Sequence, residues 1–388
     1  MLTKLKNIYH YLLALAGKAL YGNPSKDLTV IGVTGTKGKT STVELIATAL
    51  NACGHKTAII SSAHIVVGEK ETPNSTRNTM IGRGRVQKVI ADAVKSGCKF
   101  AVIEVSSQGV VQHRHRFIEW DAAVVTNLHP EHIESHGGFN NYREAKLQFF
   151  RYVALSPKPG KVFFINKEDE SAEYFAEAAN GNKKVFYSGT FIKANYAAAM
   201  AVADHYGCEL KLAEKALDDF NGIPGRMEIA VKEPFRVIID YAHTPDSLEQ
   251  AYKWAMLPSK VGHGDSRLIC VLGSAGGGRD KWKRPKMGEV AARYCDEIII
   301  TNEDPYDEDP MEIMDSVAKG TEDAGRSAIK IIDRQEAIDK AVSLAEGGDT
   351  VMLTGKGSER QIHLARGKEI AWSEKEAVRR AMEDRNKI

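Results

Sequence analysis

The sequence predicts an α/β protein of two domains, each built around a mainly parallel sheet, with the second domain smaller and Rossmann-like. Three observations lead to this prediction. Short β-branched runs alternate with helical patterns along the chain, which is typical of a parallel sheet with helices on its faces. The runs fall into two series separated by a cluster of turn-forming residues. The 388 residues also exceed the usual size of a single hydrophobic core.

Two series of apolar runs define the two domains. The first series is 28–33, 56–61, 100–105, 122–126 and 162–165, and the second is 236–240, 268–272, 297–301, 329–332 and 350–353. Between them, residues 221–225 form the clearest cluster of turn formers. We therefore predict an N-terminal helix in 1–27, a first domain in 28–224 and a second domain in 225–388.

The N-terminal segment combines Lys4 and Lys6 with an apolar stretch at 11–16, so it could be mistaken for a signal peptide. The apolar residues at helical spacing are Leu5, Ile8, Tyr9, Leu12, Leu13, Ala16 and Leu20. Lys18 interrupts this run, which is too short to span a bilayer. The pattern favours an amphipathic helix docked on the next domain.

Composition narrows the class of partner. The 53 basic and 51 acidic residues leave a formal charge of +2 with no charged tail, so neither nucleic acid nor a membrane is an expected partner. The five cysteines show no CxxC pair and no metal-ligand spacing. Such a pattern is typical of reduced thiols in a cytoplasmic protein.

A glycine-rich loop follows the first predicted strand and opens a helix expected to end near residue 52. Glycines let backbone N–H groups surround a phosphate, and a helix N-terminus favours negative charge. Lys39 can reach the β- and γ-phosphates, and the Thr40 hydroxyl can hold Mg²⁺. The residues expected to bind nucleotide are Gly35, Thr36, Lys37, Gly38, Lys39, Thr40 and Ser41. The first domain is therefore expected to be a P-loop ATPase domain.

One position departs from the usual P-loop pattern, because Val33 stands where a glycine is common. The resulting string, Thr34-Gly35-Thr36-Lys37-Gly38-Lys39-Thr40, resembles the form found in Mur ligases and folylpolyglutamate synthetases. Further segments, in matching order and spacing, resemble Mur ligases of the MurE type (UDP-N-acetylmuramoyl-tripeptide synthetases), which add the third residue of the peptidoglycan stem peptide. The resemblance covers about residues 28–388.

The resemblance implies a metal and carbamate site in the first domain. Glu104 ends a predicted strand and is implied as a magnesium ligand. His132 takes the place of a histidine ligand to a second magnesium, beside Glu131 where relatives usually carry Asp. Lys146 takes the place of a lysine that CO₂ carbamylates, which requires a neutral amine. Four other histidines, at 113, 115, 129 and 136, leave a zinc site as the competing interpretation, although ligand spacing does not support it.

Three further residues are implied to contact ATP. Asn195 takes the place of an asparagine that contacts adenine, whereas Ile192 replaces a second asparagine found in relatives. Arg226 takes the place of an arginine that reaches the transferred phosphoryl group, whose charge a guanidinium suits. Asp240 opens the string Asp240-Tyr241-Ala242-His243-Thr244-Pro245 and is implied to bind the ribose.

The predicted site for the acceptor amino acid consists of three segments of the second domain. A glycine-rich loop at 273–285 carries Arg279, Lys283 and Arg284 and looks like a second anion site, since the GxGxxG spacing of a dinucleotide fingerprint is absent. The implied amino-acid pocket consists of Glu303, Asp304, Tyr306, Gly355 and Glu359. Enzymes adding meso-diaminopimelate carry Asp-Asn-Pro-Arg where this chain has Glu303-Asp304-Pro305-Tyr306. A pocket without that arginine and with three acids should prefer a cationic side chain.

The donor side is less determined. MurE-type ligases usually carry an additional N-terminal domain that binds the uridine diphosphate part of the donor, and the 31 residues before Gly32 are too few for it. Thr72 lies where relatives have a donor-binding loop, so a peptide carboxylate is expected there. The diphosphate would then be bound weakly, by a separate donor-binding chain, or not at all.

These features together imply an ATP- and Mg²⁺-dependent ligase that activates a carboxylate as an acyl phosphate and joins it to an amino acid in cell-wall precursor synthesis. Lys39, His132, Lys146 and Arg226 are the expected catalytic residues. Two alternatives stay open: a folylpolyglutamate-type ligase, which shares the P-loop, and a non-catalytic ATP-binding subunit. The second alternative is disfavoured by intact residues at Lys39, Thr40, Glu104, His132 and Lys146.

Overall fold

The structure is a computed structural model that describes residues 2–74, 76, 78–82, 84–129, 136–189, 192–220, 222–256, 266–278 and 280–385. The chain separates into two compact units, Met1–Phe220 and Asn221–Ile388. Each unit contains one large sheet covered by helices on both faces. The prediction of an α/β fold with mainly parallel sheets is therefore confirmed.

The first unit is built on an eight-stranded sheet with the order β4-β3-β2-β5-β1-β6-β7-β8. Its strands are β1 Thr29–Thr34, β2 Thr57–Ile60, β3 His64–Val67, β4 Lys70–Pro73, β5 Phe100–Glu104, β6 Ala122–Val125, β7 Val162–Asn166 and β8 Lys183–Tyr187. All neighbours pair in parallel except β2 with β3 and β3 with β4. The strands β1, β5 and β6 are mainly apolar, and all their residues except Thr29 are buried because helices cover both faces.

Helices on the two faces of this sheet bury two apolar clusters. The helices are α1 Leu2–Tyr21, α2 Lys39–Ala52, α3 Arg85–Lys95, α4 Ser107–Val111, α5 Phe139–Ala154, α6 Ala172–Ala178, α7 Ile192–His205 and α8 Leu210–Asp218. One cluster includes residues of α2, α7 and α8, and the other includes residues of α3, α5 and α6. The predicted helix after the glycine-rich loop ends at Ala52 as expected.

The second unit has a six-stranded sheet with the order β13-β12-β11-β14-β10-β9, in which only β9 runs antiparallel to its neighbour. The strands are β9 Glu228–Val231, β10 Arg236–Ile239, β11 Leu268–Leu272, β12 Glu297–Thr301, β13 Ile329–Ile331 and β14 Thr350–Leu353, with a separate hairpin of β15 Gln361–His363 and β16 Glu369–Ala371. The helices are α9 Pro245–Ala255, α10 Lys283–Tyr294, α11 Pro310–Asp323, α12 Arg334–Leu344 and α13 Glu374–Arg385. This unit is the predicted Rossmann-like sheet with helices on both faces.

The helix α1 forms as predicted but packs through a different face. Ala14 and Gly17 are buried, and a Cβ on Gly17 would meet the Cα of Gly84 at 2.7 Å, so the helix approaches α3 through its smallest residues. Much of the predicted docking stripe is instead exposed: Ile8, Tyr9, Leu12, Ala16 and Leu20. The predicted helix is confirmed, but the predicted buried face is wrong. The reason is that Gly17, which packs closely against Gly84, adds nothing to a pattern of apolar residues.

The expectation of reduced thiols is wrong for two of the five cysteines. Cys270 on β11 and Cys295 after α10 form a disulfide with a Cα–Cα distance of 5.9 Å. Both are buried. The crossover from β11 through α10 to β12 returns the chain beside its starting strand, which a linear spacing of 25 residues does not reveal. Cys53, Cys98 and Cys208 are free.

Among the residues that the structure describes, no helix combines the length and the apolar character needed to cross a membrane.

Candidate nucleotide and acceptor sites

The phosphate loop lies at the carboxyl end of β1, between the ends of its two neighbours in the sheet. The parallel register pairs Val33 with Glu104 on β5, and Thr34 with Val125 on β6. Ligands of open α/β sheets bind at the carboxyl ends of the strands. The sheet therefore brings the loop, the carboxylate of Glu104 and the residues after β6 to one edge.

Residues after β6 hold the loop in shape. The backbone N–H of Thr36 donates to the carbonyl oxygen of Asn127 at 2.9 Å, and that of Lys37 donates to Asn127 Oδ1 at 2.9 Å. The Thr36 hydroxyl donates to the carbonyl oxygen of His129 at 3.2 Å and accepts a hydrogen bond from Tyr142 at 3.1 Å. Lys39 Nζ donates to the carbonyl oxygen of Thr36 at 2.8 Å. This fixed backbone is suited to surround phosphate oxygens.

Two glycines of the loop are required by close approach. A Cβ on Gly35 would meet Thr126 Oγ1 at 1.9 Å, and a Cβ on Gly38 would meet Asn195 Oδ1 at 2.5 Å. Gly38 also has a φ of 76°, which favours glycine, at the start of α2. The side chain of Asn195 is buried and accepts a hydrogen bond from the Thr42 hydroxyl at 3.1 Å. Asn195 therefore lies against the first turn of the phosphate-loop helix.

The oxygen atoms of Thr40 and Glu104 form a buried cluster beside the loop. Thr40 Oγ1 donates to Glu104 Oε2 at 3.0 Å, and the same carboxylate oxygen accepts from the backbone N–H of Ser62 at 2.8 Å. Ser62 Oγ lies 2.9 Å from Thr40 Oγ1. A hard cation such as Mg²⁺ prefers oxygen ligands, so Thr40 and Glu104 fit the metal that the sequence implied. No group of three or more His, Cys, Asp or Glu residues within the described ranges could hold a metal ion.

Lys146 lies on α5 and reaches the same loop. Its side chain is 1% exposed, and its Nζ donates to the carbonyl oxygen of Gly35 at 2.5 Å. The ammonium also lies 4.6 Å from the centre of the Tyr142 ring. The predicted carbamylated lysine is therefore buried next to the phosphate loop.

Two predicted site residues, His132 and Arg279, lie outside the described residues. The same is true of Glu131, which precedes His132. Their assignments stay predictions.

The predicted donor segment lies on the antiparallel edge of the sheet. Thr72 is on β4, opposite Ile65 of β3, and Asn74 donates to the carbonyl oxygen of Ser61 at 2.8 Å. Arg114, which is not among the predicted site residues, donates to the carbonyl oxygen of Met80, and to Asn78 Oδ1 at 3.0 Å. Arg114 belongs to a basic segment, residues 112–116, that follows α4, and α4 begins three residues after Glu104. This position close behind the predicted metal ligand is the sequence signal that could have identified Arg114.

A charged network joins this edge to the phosphate-loop helix. His64 Nε2 lies 2.8 Å from Glu44 Oε1, and His64 Nδ1 lies 2.7 Å from Glu71 Oε1. Glu44 is on α2 and Glu71 is on β4. The hydrogen bond to Glu44, aided by Glu71 and opposed by burial, raises the pKa of His64 to about 8. The imidazole is therefore mainly cationic at neutral pH.

In the second unit, Arg226 and Asp240 lie beside Tyr241. The guanidinium carbon of Arg226 is 4.2 Å from the centre of the Tyr241 ring. Asp240 accepts hydrogen bonds from the backbone N–H of Met227 at 2.8 Å and of Ala242 at 2.7 Å. Burial raises the pKa of Asp240, while the Arg226 charge and the backbone donors oppose that shift.

Arg284 is paired with a carboxylate that is not among the predicted site residues, that of Glu308. Arg284 is buried and donates to Glu308 Oε2 at 3.0 Å, while Gly278 N donates to Glu308 Oε1 at 2.6 Å. Hydrogen bonds from Gly278, Lys281 and Arg284 outweigh desolvation and lower the pKa of Glu308 to about 2. The positive charge of the expected anion site is therefore partly balanced by Glu308, which lies in the segment between β12 and α11.

The acids of the predicted acceptor pocket converge on Lys356. Lys356 Nζ lies 2.9 Å from each carboxylate oxygen of Asp304 and 2.7 Å from Glu359 Oε2. Glu303 is buried, and burial raises its pKa to about 7 despite the nearby charges of Lys356, Lys283 and Arg334. A Cβ on Gly355 would meet Glu303 Oε2 at 2.6 Å. The pocket is thus less negative than its three acids suggest.

Tyr306 stacks on a residue of the β15–β16 hairpin. The rings of Tyr306 and His363 have centroids 5.2 Å apart and planes within 7° of parallel. The backbone N–H of Tyr306 donates to the carbonyl oxygen of His363 at 3.2 Å, and Tyr306 has a φ of 51°. His363 N donates to Asp304 at 2.8 Å. The hairpin therefore fixes the residue that replaces the arginine of the diaminopimelate pattern.

Comparison with protein families agrees with this arrangement. The model for the Mur ligase middle domain matches residues 33–230, and the model for the Mur ligase glutamate ligase domain matches residues 225–357.

Curated relatives match over most of the chain. The chain is 34% identical over 386 residues to a UDP-N-acetylmuramoyl-L-alanyl-D-glutamate–2,6-diaminopimelate ligase from Halalkalibacterium halodurans, covering 89% of this chain and 77% of that protein. It is 36% identical over 399 residues to a UDP-N-acetylmuramyl-tripeptide synthetase from Treponema denticola, covering 88% of this chain and 74% of that protein.

Solved structures share the fold. A structure of a UDP-N-acetylmuramoyl-L-alanyl-D-glutamate–2,6-diaminopimelate ligase has a TM-score of 0.61 at 28% identity, covering 92% of this chain and 79% of that chain. Escherichia coli FolC in complex with DHPP and ADP has a TM-score of 0.68 at 19% identity, covering 97% of this chain and 92% of that chain.

Proposed function

The chain belongs to the Mur ligase family, and from this premise we propose that this ATP-dependent amino-acid ligase adds a basic amino acid to a muramoyl-peptide donor. The donor class follows from its curated relatives, which are named for ligases of UDP-N-acetylmuramoyl peptides. The acceptor class follows from this chain's own pocket. The single observation that carries the acceptor proposal is the Tyr306–His363 stack where diaminopimelate enzymes carry an arginine.

ATP would bind at the carboxyl edge of the first sheet. The backbone N–H groups of 35–41 and the start of α2 would hold the phosphates, with Lys39 contributing positive charge near the transferred phosphoryl group. Thr40 and Glu104 would hold Mg²⁺, which when bound supplies charge neutralisation at the phosphate oxygens. Asn195 and Asp240 are the proposed contacts to adenine and ribose.

The reaction has two steps. The donor carboxylate attacks the γ-phosphate, and ADP leaves, which forms an acyl phosphate. The acceptor amine then attacks the acyl carbon, and phosphate leaves the tetrahedral intermediate as the amide forms. We assign to Lys39 and Arg226 the stabilisation of the negative charge that develops on the transferred phosphoryl group, because positioning and electrostatics dominate the catalysis of phosphoryl transfer. Lys146 is assigned as the carbamylated lysine, and its burial beside Gly35 supports a role near the phosphates.

The pocket favours a cation through its aromatic surface rather than through excess negative charge. Asp304 and Glu359 share the charge of Lys356, so neither offers a full charge to the acceptor. The face of a stacked tyrosine attracts a cation, whereas the Tyr306 side chain itself supplies no guanidinium for a distal carboxylate. We therefore retain lysine and ornithine as the proposed acceptors. Glu303 is a proposed contact to their side-chain cation, because its Oε2 has no hydrogen-bond partner among the described residues.

The test is phosphate release from ATP with UDP-N-acetylmuramoyl-L-alanyl-D-glutamate as donor and lysine, ornithine, diaminopimelate or glutamate as acceptor. We expect release that requires donor and acceptor together, with lysine or ornithine preferred. Lys39→Ala should lose roughly a hundredfold or more of the rate, whereas Lys95→Ala, an exposed lysine on α3, should keep it. A preference for glutamate would favour the folylpolyglutamate-type alternative, and no phosphate release with any acceptor would favour a non-catalytic ATP-binding subunit.

A further inference from the structure

Tyr241 contacts both functional segments of the second unit. One face of its ring lies 4.2 Å from the guanidinium carbon of Arg226. Its hydroxyl donates to Glu359 Oε1 at 3.2 Å. Burial raises the pKa of Tyr241, as does the charge of Glu359, so the phenol keeps its proton and remains a donor. The same side chain therefore touches the proposed phosphoryl-binding arginine and a proposed acceptor-binding carboxylate.

The backbones of these segments also touch. A Cβ on Gly225 would meet the backbone nitrogen of Ser358 at 2.0 Å, and a Cβ on Gly357 would meet the carbonyl oxygen of Gly225 at 2.7 Å and Tyr241 Cβ at 2.9 Å. Both glycines have positive φ, 69° and 51°. The turn that carries Arg226 and the turn that carries Glu359 are therefore packed without a gap, and a shift of one must displace the other.

Further contacts extend the chain into the acceptor pocket. Glu359 Oε2 accepts from Lys356 Nζ at 2.7 Å, and Lys356 is bonded to both oxygens of Asp304. Asp304 accepts from the backbone N–H of His363, whose ring stacks on Tyr306. A series of direct contacts thus connects Arg226 with Tyr306, the residue proposed to select the acceptor.

We propose that Tyr241 is a positioning residue that couples the acceptor pocket to Arg226, by fixing Glu359 with its hydroxyl and the guanidinium with its ring. The inference rests on the proposed function, since it assigns these two side chains to one reaction. The hydroxyl and the ring make separate contacts, so their contributions can be separated by substitution. Loss of the hydroxyl should weaken acceptor binding, and loss of the ring should slow the chemical step as well.

Steady-state kinetics of two variants test this separation. Tyr241→Phe keeps the ring beside Arg226 and removes the hydrogen bond to Glu359, so the acceptor KM should rise roughly tenfold with the ATP KM unchanged and kcat within about twofold. Tyr241→Leu also removes the ring, so kcat should fall by a further factor of roughly three to ten. The matched control is Tyr294→Phe, which removes a phenol hydrogen bond to Glu249 (2.8 Å) in the same unit and should change neither constant.

A double-mutant cycle identifies the partner of the hydroxyl. In a Glu359→Ala background, which leaves the Tyr241 hydroxyl without this acceptor, Tyr241→Phe should change the acceptor KM much less than in the wild type. Additive effects, or a Tyr241→Phe enzyme indistinguishable from Tyr294→Phe, would overturn the inference while leaving the ligase function intact. A wild-type enzyme without acceptor-dependent phosphate release would overturn the proposed function and this inference with it. If Tyr241→Leu fails to fold, Tyr241→Phe and the cycle still decide.

Discussion

Lys146 donates a hydrogen bond of 2.5 Å to the carbonyl oxygen of Gly35. The two residues are separated by 111 positions in the sequence, and α5 places this lysine directly against the phosphate loop. A buried lysine is costly unless it is bonded or modified. Its position therefore supports a role at the nucleotide.

Lys146→Ala should lose roughly a hundredfold or more of the ligase rate and recover part of it with added acetate or formate, because a small carboxylate can occupy the space of a carbamate. The measurement is phosphate release with and without the acid. Lys161→Ala is the control, since Lys161 also donates to backbone carbonyl oxygens, of Ser156 and Lys158, but away from the loop. An active crystal with density for an unmodified Lys146 would contradict the carbamate assignment.

Tyr306→Arg should shift acceptor preference toward diaminopimelate. A guanidinium can bind the distal carboxylate in a bidentate manner, and it should repel a cationic acceptor. We expect the ratio of kcat/KM for diaminopimelate to that for lysine to rise roughly tenfold or more. Tyr306→Phe, which keeps the stack on His363, should leave the ratio unchanged. An unchanged ratio in Tyr306→Arg would show that another part of the pocket selects the acceptor.

His64 should make stability fall with rising pH. Its pKa is raised from 6.5 to about 8 in the folded chain by Glu44 and Glu71, so its stabilising contribution is fully present below pH 6.5 and is lost as the pH rises through 8. The side chain is 13% exposed, and the contribution is of the order of 2 kcal/mol. Thermal unfolding of wild type and His64→Gln between pH 6 and 9 tests this. The difference between the two proteins should shrink with pH, and a constant difference would be evidence against the charged network.

The nucleotide side could be predicted largely from local sequence. The phosphate loop and Glu104 each follow a buried strand, and parallel strands bring such carboxyl ends together. The bond between Lys146 and Gly35 fits the same logic, although only the resemblance suggested that this lysine matters. Local patterns are sufficient to predict the phosphate loop and Glu104 because they lie at the ends of regular strands.

The acceptor side could not be predicted in the same way. Lys356 and Asp304 are 52 residues apart, and no local pattern indicates that this lysine balances the charge of acids that were expected to be free. The Tyr306–His363 stack depends on a short hairpin, β15–β16, whose strands have three residues each and no clear alternation. Charge pairing and stacking between distant segments are tertiary effects that periodicity does not encode.

The central claim is that this chain activates its donor as an acyl phosphate, and oxygen transfer tests it most directly. UDP-N-acetylmuramoyl-L-alanyl-D-glutamate labelled with ¹⁸O in the reacting carboxylate would be incubated with ATP, Mg²⁺ and lysine, and the released phosphate would be analysed by mass spectrometry. Attack of that carboxylate on the γ-phosphate predicts one ¹⁸O atom in the phosphate for each amide formed, and Lys39→Ala should form neither product. Amide product formed together with phosphate that carries no ¹⁸O would contradict the account.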